Sequence, residues 1–317
     1  MTFPTPYLIF VCLWLGCLGG LFALSAASRG WGRAALTGLT LALPLGYGLA
    51  KAGFLCFYLW PQLARWGIAA LVLPRPDTFS FVSGCAGVSL ALWLAARACG
   101  AKGLLNLFAP CGACMIAGLR AAEAWLGTLG AGGLLPEGHW AAGTFLAVAN
   151  AWGEWHWAVY VAEAAFALTG AALALTRWRR SEDRFARTAA LLCCGQILFE
   201  LMRVNTIAWH FARIDQVWCA CALLGLALAA LFRTGRWQPL AVAILLLGLN
   251  AYLQFVLDKP ELLTALLPEG WRAWTAQKIR PLCWTGFTVT AVGLYMVSCQ
   301  SLKGMYSPRR NIRSITA

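Results

Sequence analysis

Charged residues lie inside apolar stretches of this 317-residue chain at a spacing that could form a binding site. Arg120 and Glu123 stand three residues apart in MIAGLRAAEAWLG, and Glu200 and Arg203 have the same spacing in CGQILFELMRVN. On a helix, this spacing places both side chains of a pair on one face. Ionisable groups at membrane depth usually face a polar cavity and serve a substrate. The pairs therefore predict a buried site in which forked guanidinium contacts hold the phosphate of an anionic lipid head group.

Two further charges, Lys51 in GYGLAKAGFLCFY and Glu163 in VYVAEAAFALTG, also fall within apolar stretches. Each of these buried charges also has a structural interpretation, in which it binds no ligand. Lys51 and Arg203 are close enough to span ends for their side chains to extend to the interface. The Arg120 pair could serve helix packing alone, and the glutamates could simply partner a lysine or an arginine. The glycines of GTLGAGG could let backbone approach a ligand or form a flexible loop.

The elements that must position these charges are transmembrane helices. Hydrophobic residues make up 61% of the chain and charged residues 12%, which excludes a soluble multi-domain protein. Apolar runs of about 20 residues predict an all-α integral membrane protein, a bundle of about nine transmembrane helices. The predicted spans are 5–25, 35–59, 79–96, 103–127, 156–176, 187–203, 215–231, 238–257 and 281–299.

The distribution of basic residues predicts the orientation of the chain. Fifteen arginines and lysines fall on one set of alternate loops and eight on the other, and the richer set includes RWRRSEDRFAR. Because cytoplasmic loops carry more basic residues, the N-terminus is predicted outside and the C-terminus in the cytoplasm. The loop 128–155 has no lysine or arginine and is predicted outside. Topology and attraction to anionic lipids account for most of the +13 charge, so no nucleic-acid partner is predicted.

Cysteines and histidines give no pattern of a metal or cofactor site. The thirteen cysteines lie almost wholly in apolar runs, where cysteine acts as a small hydrophobic residue. Cys111 and Cys114 form a CxxC without a second ligand pair, which favours packing over metal binding. The three histidines fall in loops or near span ends, which disfavours a haem-binding anchor. We therefore predict no metal and no cofactor.

Five stretches, in order along the chain, resemble motifs of the bacterial prolipoprotein diacylglyceryl transferases. LAKAGFLCFY resembles the GGRxGYVLFY-like stretch of that family, with Lys51 in place of the arginine. SFVSGCAGV resembles SFHGGLIGV, and NLFAPCGACMIAGLRAAEAWLG resembles DxIAP leading into GRxGNFxNGE. YVAEA resembles QLYEA at Glu163, and GQILFELMRVN with IDQV resembles RFxxExFRxPD followed by GQ. The resemblance covers about the first 230 residues and agrees with the predicted orientation.

The chain also departs from the family at site positions. Val82 stands where the family has the histidine of its HGG motif, Glu123 where it has the signature asparagine, and Gln196 where it has an arginine. Arg120, Glu200 and Arg203 are retained. The chain therefore resembles the family in its motifs, while these substitutions bear on whether it can catalyse the family's reaction.

The resemblance implies transfer of diacylglyceryl from phosphatidylglycerol to the thiol of a lipobox cysteine in a prolipoprotein, at the bacterial inner membrane. Arg120 and Arg203 would hold the phosphate, and Glu200 would orient an arginine or take the thiol proton. The resemblance places Lys51, Glu123 and Gln216 at substrate-binding positions. Residues 1–235 would form the transferase-like domain, and 236–317 an added two-helix extension with a basic cytoplasmic tail.

Two other functions remain open from the sequence. The substitutions at Val82 and Gln196 favour a relative that binds phospholipid without catalysing transfer. The buried charges could instead gate a small-molecule transporter, although the internal repeat usual in transporters is not evident.

Overall fold

Nine α-helices make up most of the part of the chain that the computed structural model describes, residues 3–71, 78–204, 207–209, 212–259, 261 and 269–306. The helices are α1 (Thr5–Ala27), α2 (Gly32–Trp66), α3 (Phe81–Ala98), α4 (Leu104–Ala122), α5 (Val159–Leu175), α6 (Arg184–Met202), α7 (Ile214–Thr234), α8 (Gln238–Asp258) and α9 (Glu269–Tyr306). Two short 3-10 helices, Gly67–Leu71 and Glu123–Leu126, continue α2 and α4.

Eight of the helices are long and apolar enough to cross a bilayer, and α5 is a shorter apolar helix of 17 residues. A helix satisfies all its backbone hydrogen bonds internally, which is why apolar chains cross membranes in this form. The protein is thus a multi-pass, all-α membrane bundle. The predicted helices are all present, but several begin or end elsewhere.

Short local structures lie at the ends of the fourth and fifth helices and in the connection between the sixth and seventh. The predicted span 103–127 agrees with the helical stretch Leu104–Leu126, whose last part, Glu123–Leu126, is a 3-10 helix. The fifth helix begins at Val159 rather than at 156. Trp155–Trp157 instead forms strand β2, which pairs antiparallel with strand β1, Ala147–Ala149. A second antiparallel pair, β3 (Ala208–Trp209) and β4 (Ala212–Arg213), connects α6 to α7.

Helices α2 and α9 extend beyond the predicted spans. α2 continues from the predicted end at 59 to Trp66, past a non-helical residue, Tyr58, with φ −125°. α9 begins at Glu269, well before the predicted start at 281. These added turns are more polar than a span, so hydropathy finds only the part of each helix that suits a bilayer. The predicted basic tail after Tyr306 lies outside the described residues.

Small residues allow α2 and α3 to pack backbone to backbone. A Cβ placed on Gly87 of α3 would lie 2.3 Å from the carbonyl oxygen of Leu45 and 2.9 Å from Cα of Gly46. No side chain can occupy that position without moving α2, because both clashing atoms belong to its backbone. Close packing of this kind fixes the start of α3, which contributes to the site described below.

The last two helices share a core with the preceding pair. Ile197 of α6, Leu223 of α7, Ala243 of α8 and Leu294 of α9 belong to one buried apolar cluster. Asn250 Nδ2 of α8 also donates to Thr290 Oγ1 of α9 at 3.2 Å. The extension after residue 235 therefore packs into the bundle against α6 and α7.

Every cysteine in the chain is a free thiol. Cys99 is exposed at the carboxyl end of α3, in the short connection to α4. The other exposed cysteines lie inside apolar helices: Cys12, Cys17, Cys56 and Cys221.

Candidate functional site

A buried cluster of charged side chains forms where one end of α4 meets neighbouring ends of α5 and α6. Arg120 lies in the last turn of α4, Glu163 near the start of α5, and Glu200 in the last turn of α6. Each of these side chains is almost completely buried. Burial of ionised groups costs free energy unless they are paired and hydrogen-bonded, so their partners decide what the cluster can do.

Arg120 is held from several directions. Its Nη1 donates to Glu123 Oε1 at 2.5 Å, and its Nη2 donates to Gln196 Oε1 at 2.9 Å. Its Nε lies 3.1 Å from Glu163 Oε2, an ion pair without hydrogen-bond geometry. The guanidinium also stacks over the ring of Phe81, 3.9 Å from its centroid. The predicted pairing of Arg120 with Glu123 is present, and it is one part of a larger network.

Arg203 belongs to the same network but not to a helix. α6 ends at Met202, and Arg203 follows in an extended conformation with ψ 136°. The expectation that Glu200 and Arg203 share one helical face is therefore wrong. Arg203 Nη2 instead donates to Glu123 Oε2 at 2.8 Å, and its Nε donates to Glu163 Oε1 at 3.0 Å. These contacts also contradict the interpretation that Arg203 extends to the interface.

Glu200 connects to the arginines through Gln196. Gln196 Nε2 donates to Glu200 Oε1 at 2.8 Å, while Gln196 Oε1 accepts from Arg120. Among the described residues, no arginine or lysine forms a salt bridge with Glu200. Glu200 is thus the carboxylate of the cluster whose oxygens are not taken up by a guanidinium.

The glycine-rich loop after α4 approaches this network with its backbone. Gly130 has a left-handed φ of 82°, and a Cβ there would lie 2.3 Å from Glu123 Oε2 and 3.0 Å from Arg203 Nη1. A side chain at this position would push into the ion pair. Close approach of the GTLGAGG backbone to a ligand stays a prediction; the structure shows its close approach to Glu123 and Arg203.

A cavity of about 780 Å³ adjoins the charged cluster. Arg120, Glu123, Glu163, Glu200 and Arg203 all contribute to its wall. Much of the remaining wall is apolar and comes from several helices: Val88, Ile116, Leu119, Phe166 and Leu192. The cavity wall thus carries charged groups on one part and apolar side chains on much of the rest.

The cluster carries more negative than positive formal charge. Three carboxylates, those of Glu123, Glu163 and Glu200, surround the guanidinium groups of Arg120 and Arg203. Glu123 contacts both arginines. An anionic ligand therefore competes with carboxylates for the donors of both arginines.

Two of the residues predicted to bind substrate lie away from the cavity wall. Lys51 Nζ donates to Thr78 Oγ1 at 2.9 Å and lies 5.1 Å from the centroid of Phe79, so this buried lysine does not extend to the interface. Gln216 Nε2 donates to the carbonyl oxygen of Ile197 at 3.0 Å, which joins α7 to α6. A substrate role for Lys51 and Gln216 stays a prediction.

The sequence interpretation missed a polar contact at the cavity wall between Ser80 and Asp215. Ser80 Oγ donates to Asp215 Oδ1 at 2.6 Å, and the Val82 amide donates to the same oxygen at 3.3 Å. Asp215 therefore caps the start of α3 and joins it to the start of α7. Gln216, next to Asp215, was among the predicted substrate-binding residues. No local sequence pattern relates Ser80 to Asp215, because they lie 135 positions apart.

Within the residues that the structure describes, no group of three or more histidine, cysteine, aspartate or glutamate side chains is arranged to hold a metal ion. No protein-family model, curated protein or solved structure matched this chain.

Proposed function

We propose that the chain is a membrane transferase of the diacylglyceryl transferase kind, which moves diacylglyceryl from phosphatidylglycerol to the lipobox cysteine of a prolipoprotein. The supporting observation is that all five stretches resembling family motifs contribute to one cavity wall. Ala50, Phe81, Arg120, Glu163 and Glu200 each come from a different stretch. The proposal includes a bacterial inner membrane location with the N-terminus outside.

The cavity suits phosphatidylglycerol in size and polarity. Its apolar body would accept acyl chain segments, and its charged end would receive the phosphate. In the transfer, the phosphate takes the position of the Glu123 carboxylate between Arg120 and Arg203. These two guanidinium groups then stabilise the negative charge that develops on the leaving glycerol phosphate.

The reaction also requires a base near the incoming thiol. The thiolate sulfur forms a bond to the terminal glycerol carbon of the diacylglyceryl group, while the bond from that carbon to the phosphate oxygen breaks. The electron pair of that bond leaves with glycerol phosphate. Glu200 takes the thiol proton in this scheme, because it is the carboxylate of the cluster that no described arginine pairs. Gln196 keeps Glu200 in position next to Arg120.

The first test is a gel-shift assay with a labelled lipobox peptide, phosphatidylglycerol and the purified protein in detergent. We expect the wild type to give a lipidated product and Arg120→Ala to lose at least about a hundredfold in rate, since one preorganised charge donor commonly contributes that much. Arg177→Ala is the matched control, because Arg177 is an exposed arginine away from the cavity. A peptide with serine in place of cysteine should give no product.

Either of two outcomes would contradict the proposal. One is equal product from the wild type and Arg120→Ala, which would place the chemistry elsewhere. The other is no product from wild-type protein that is folded and saturated with phosphatidylglycerol.

The second outcome would support another candidate function, a phospholipid-binding relative without transfer activity. The contact of Glu123 with both arginines favours this candidate, because it neutralises the groups that stabilise a leaving phosphate. Binding of phosphatidylglycerol in a thermal-shift assay, with no product at any peptide concentration, would identify such a protein.

A further inference from the structure

A second cleft lies at the opposite ends of α4, α5 and α6 from the charged cluster. It has a volume of about 430 Å³ and is formed by the end of α1, the start of α4, the end of α5 and the start of α6. Four arginines contribute to its wall: Arg29, Arg179, Arg180 and Arg184. We call these residues the arginine cleft.

Arg184 is the buried member of this group. Its side chain is 8% exposed, and its Nε is buried without a hydrogen-bond partner. Its Nη1 has one long contact, 3.4 Å, to the carbonyl oxygen of Arg179. Arg29 and Arg179 lie near enough for their positive charges to repel that of Arg184. A buried guanidinium with a free donor and like-charged neighbours is destabilising unless an anion binds there.

Acidic residues near the arginine cleft do not supply that anion. None of the described residues in its wall is an aspartate or glutamate. Asp183 is bound by Arg187, with Nη2 2.6 Å from Oδ2. Burial by itself would raise the pKa of Asp183, but hydrogen bonds from Arg187 and Ser181 lower it overall, so this carboxylate stays ionised and committed to Arg187. Within the described ranges, no salt bridge reaches the four arginines.

We propose that the arginine cleft binds a phosphate-bearing anion, either inorganic phosphate or the phosphate of an anionic phospholipid. Several guanidinium groups around one small polar cleft match the charge and the hydrogen-bond acceptors of a phosphate. The cleft lies at the ends of membrane helices, where basic pockets receive lipid head groups. The site is separate from the proposed transferase site and does not depend on that function.

The excess of basic residues in one set of loops, which predicts the orientation of the chain, does not explain why these arginines line one cleft. The positive-inside rule depends on the number of basic residues in a loop and requires neither burial nor convergence. Arg177 is exposed in that loop, as the rule alone would predict, whereas Arg184 is buried and its Nε has no hydrogen-bond partner.

Thermal unfolding of the full chain in a neutral detergent, in phosphate-free buffer, tests the proposal. The probes are sodium phosphate, with sodium chloride at matched ionic strength, and dioctanoylphosphatidylglycerol, with dioctanoylphosphatidylcholine as its control. We expect at least one phosphate-bearing probe to raise the Tm of the wild type by about 2–4 °C near saturation. Each rise should be smaller in Arg184→Gln, where only the proposed transferase cavity is left to bind a phosphate-bearing probe, and unchanged in Arg177→Gln, which removes one charge from the same loop.

A shift that Arg184→Gln reduces, with both probes or with either one alone, supports the proposal and identifies whether free phosphate or a lipid head group is the ligand. Without a probe, Arg184→Gln should unfold at the same or a higher temperature than the wild type, because it removes an unpaired buried charge. If Arg184→Gln does not fold, the double variant Arg29→Gln/Arg179→Gln takes its place. An equal shift in wild type and cleft variants, or no shift with either probe in the wild type, would overturn the proposal.

Discussion

Replacing Glu123 with asparagine is expected to raise both phosphatidylglycerol binding and the rate of lipid transfer by about tenfold or more. In the structure, the Glu123 carboxylate contacts Arg120 Nη1 at 2.5 Å and Arg203 Nη2 at 2.8 Å. A phosphate must compete with it for the same donors. A hydrogen bond to a charged group contributes about 1.5–3 kcal/mol, and ~1.4 kcal/mol is a factor of ten in affinity.

The comparison that checks this prediction uses Glu123→Asn and Glu137→Gln in the same binding and gel-shift assays. Glu137 is an exposed acid of the loop that follows α4 and does not contribute to the cavity wall, so its replacement should change neither quantity. Weaker binding and slower transfer by Glu123→Asn would show that Glu123 organises the arginines for the substrate and does not compete with it.

Removal of Arg203 is expected to have the largest effect on stability. Arg203→Ala leaves the buried Glu163 carboxylate without its Nε donor at 3.0 Å and Glu123 without its Nη2 donor. Breaking one side of a buried ion pair typically costs about 3–5 kcal/mol, because the remaining charge stays buried. Lipid transfer should be lost as well, since Arg203 is one of the two proposed phosphate donors.

Thermal unfolding in detergent and the gel-shift assay measure the two effects of Arg203→Ala. Arg65→Ala is the control, because Arg65 is exposed at the end of α2. The double variant Arg203→Ala/Glu163→Gln should regain part of the stability without regaining activity, because it removes the orphaned charge but not the need for a phosphate donor. An unchanged Tm in Arg203→Ala would mean that the cluster is hydrated and not a tightly paired network.

The helices were predictable because a bilayer imposes a long apolar run on every span. Their ends were less predictable. Hydropathy does not register that Trp155–Trp157 pairs as a strand with Ala147–Ala149, or that Tyr58 interrupts α2 and the helix then resumes. These features depend on hydrogen bonds and backbone angles, which the hydropathy of the residues does not measure.

The site was predictable where its contacts are local. The i, i+3 spacing of Arg120 and Glu123 correctly placed them in contact. The same rule failed for Arg203, because α6 ends one residue earlier and the extended backbone turns its side chain toward Glu163, 40 positions away in sequence. Spacing along one helix carries no information about such partners, which depend on how α4, α5 and α6 pack together.

A cysteine in the connection between α3 and α4 allows the orientation of the chain in the membrane to be measured. Cys99 is exposed there, four residues before Gly103 in the wall of the arginine cleft. A thiol reacts with maleimide as the thiolate, which forms in water and not among apolar lipid chains. A membrane-impermeant maleimide applied to intact cells and then to opened cells would thus report which face of the membrane the arginine cleft occupies, with no cysteine added to the chain.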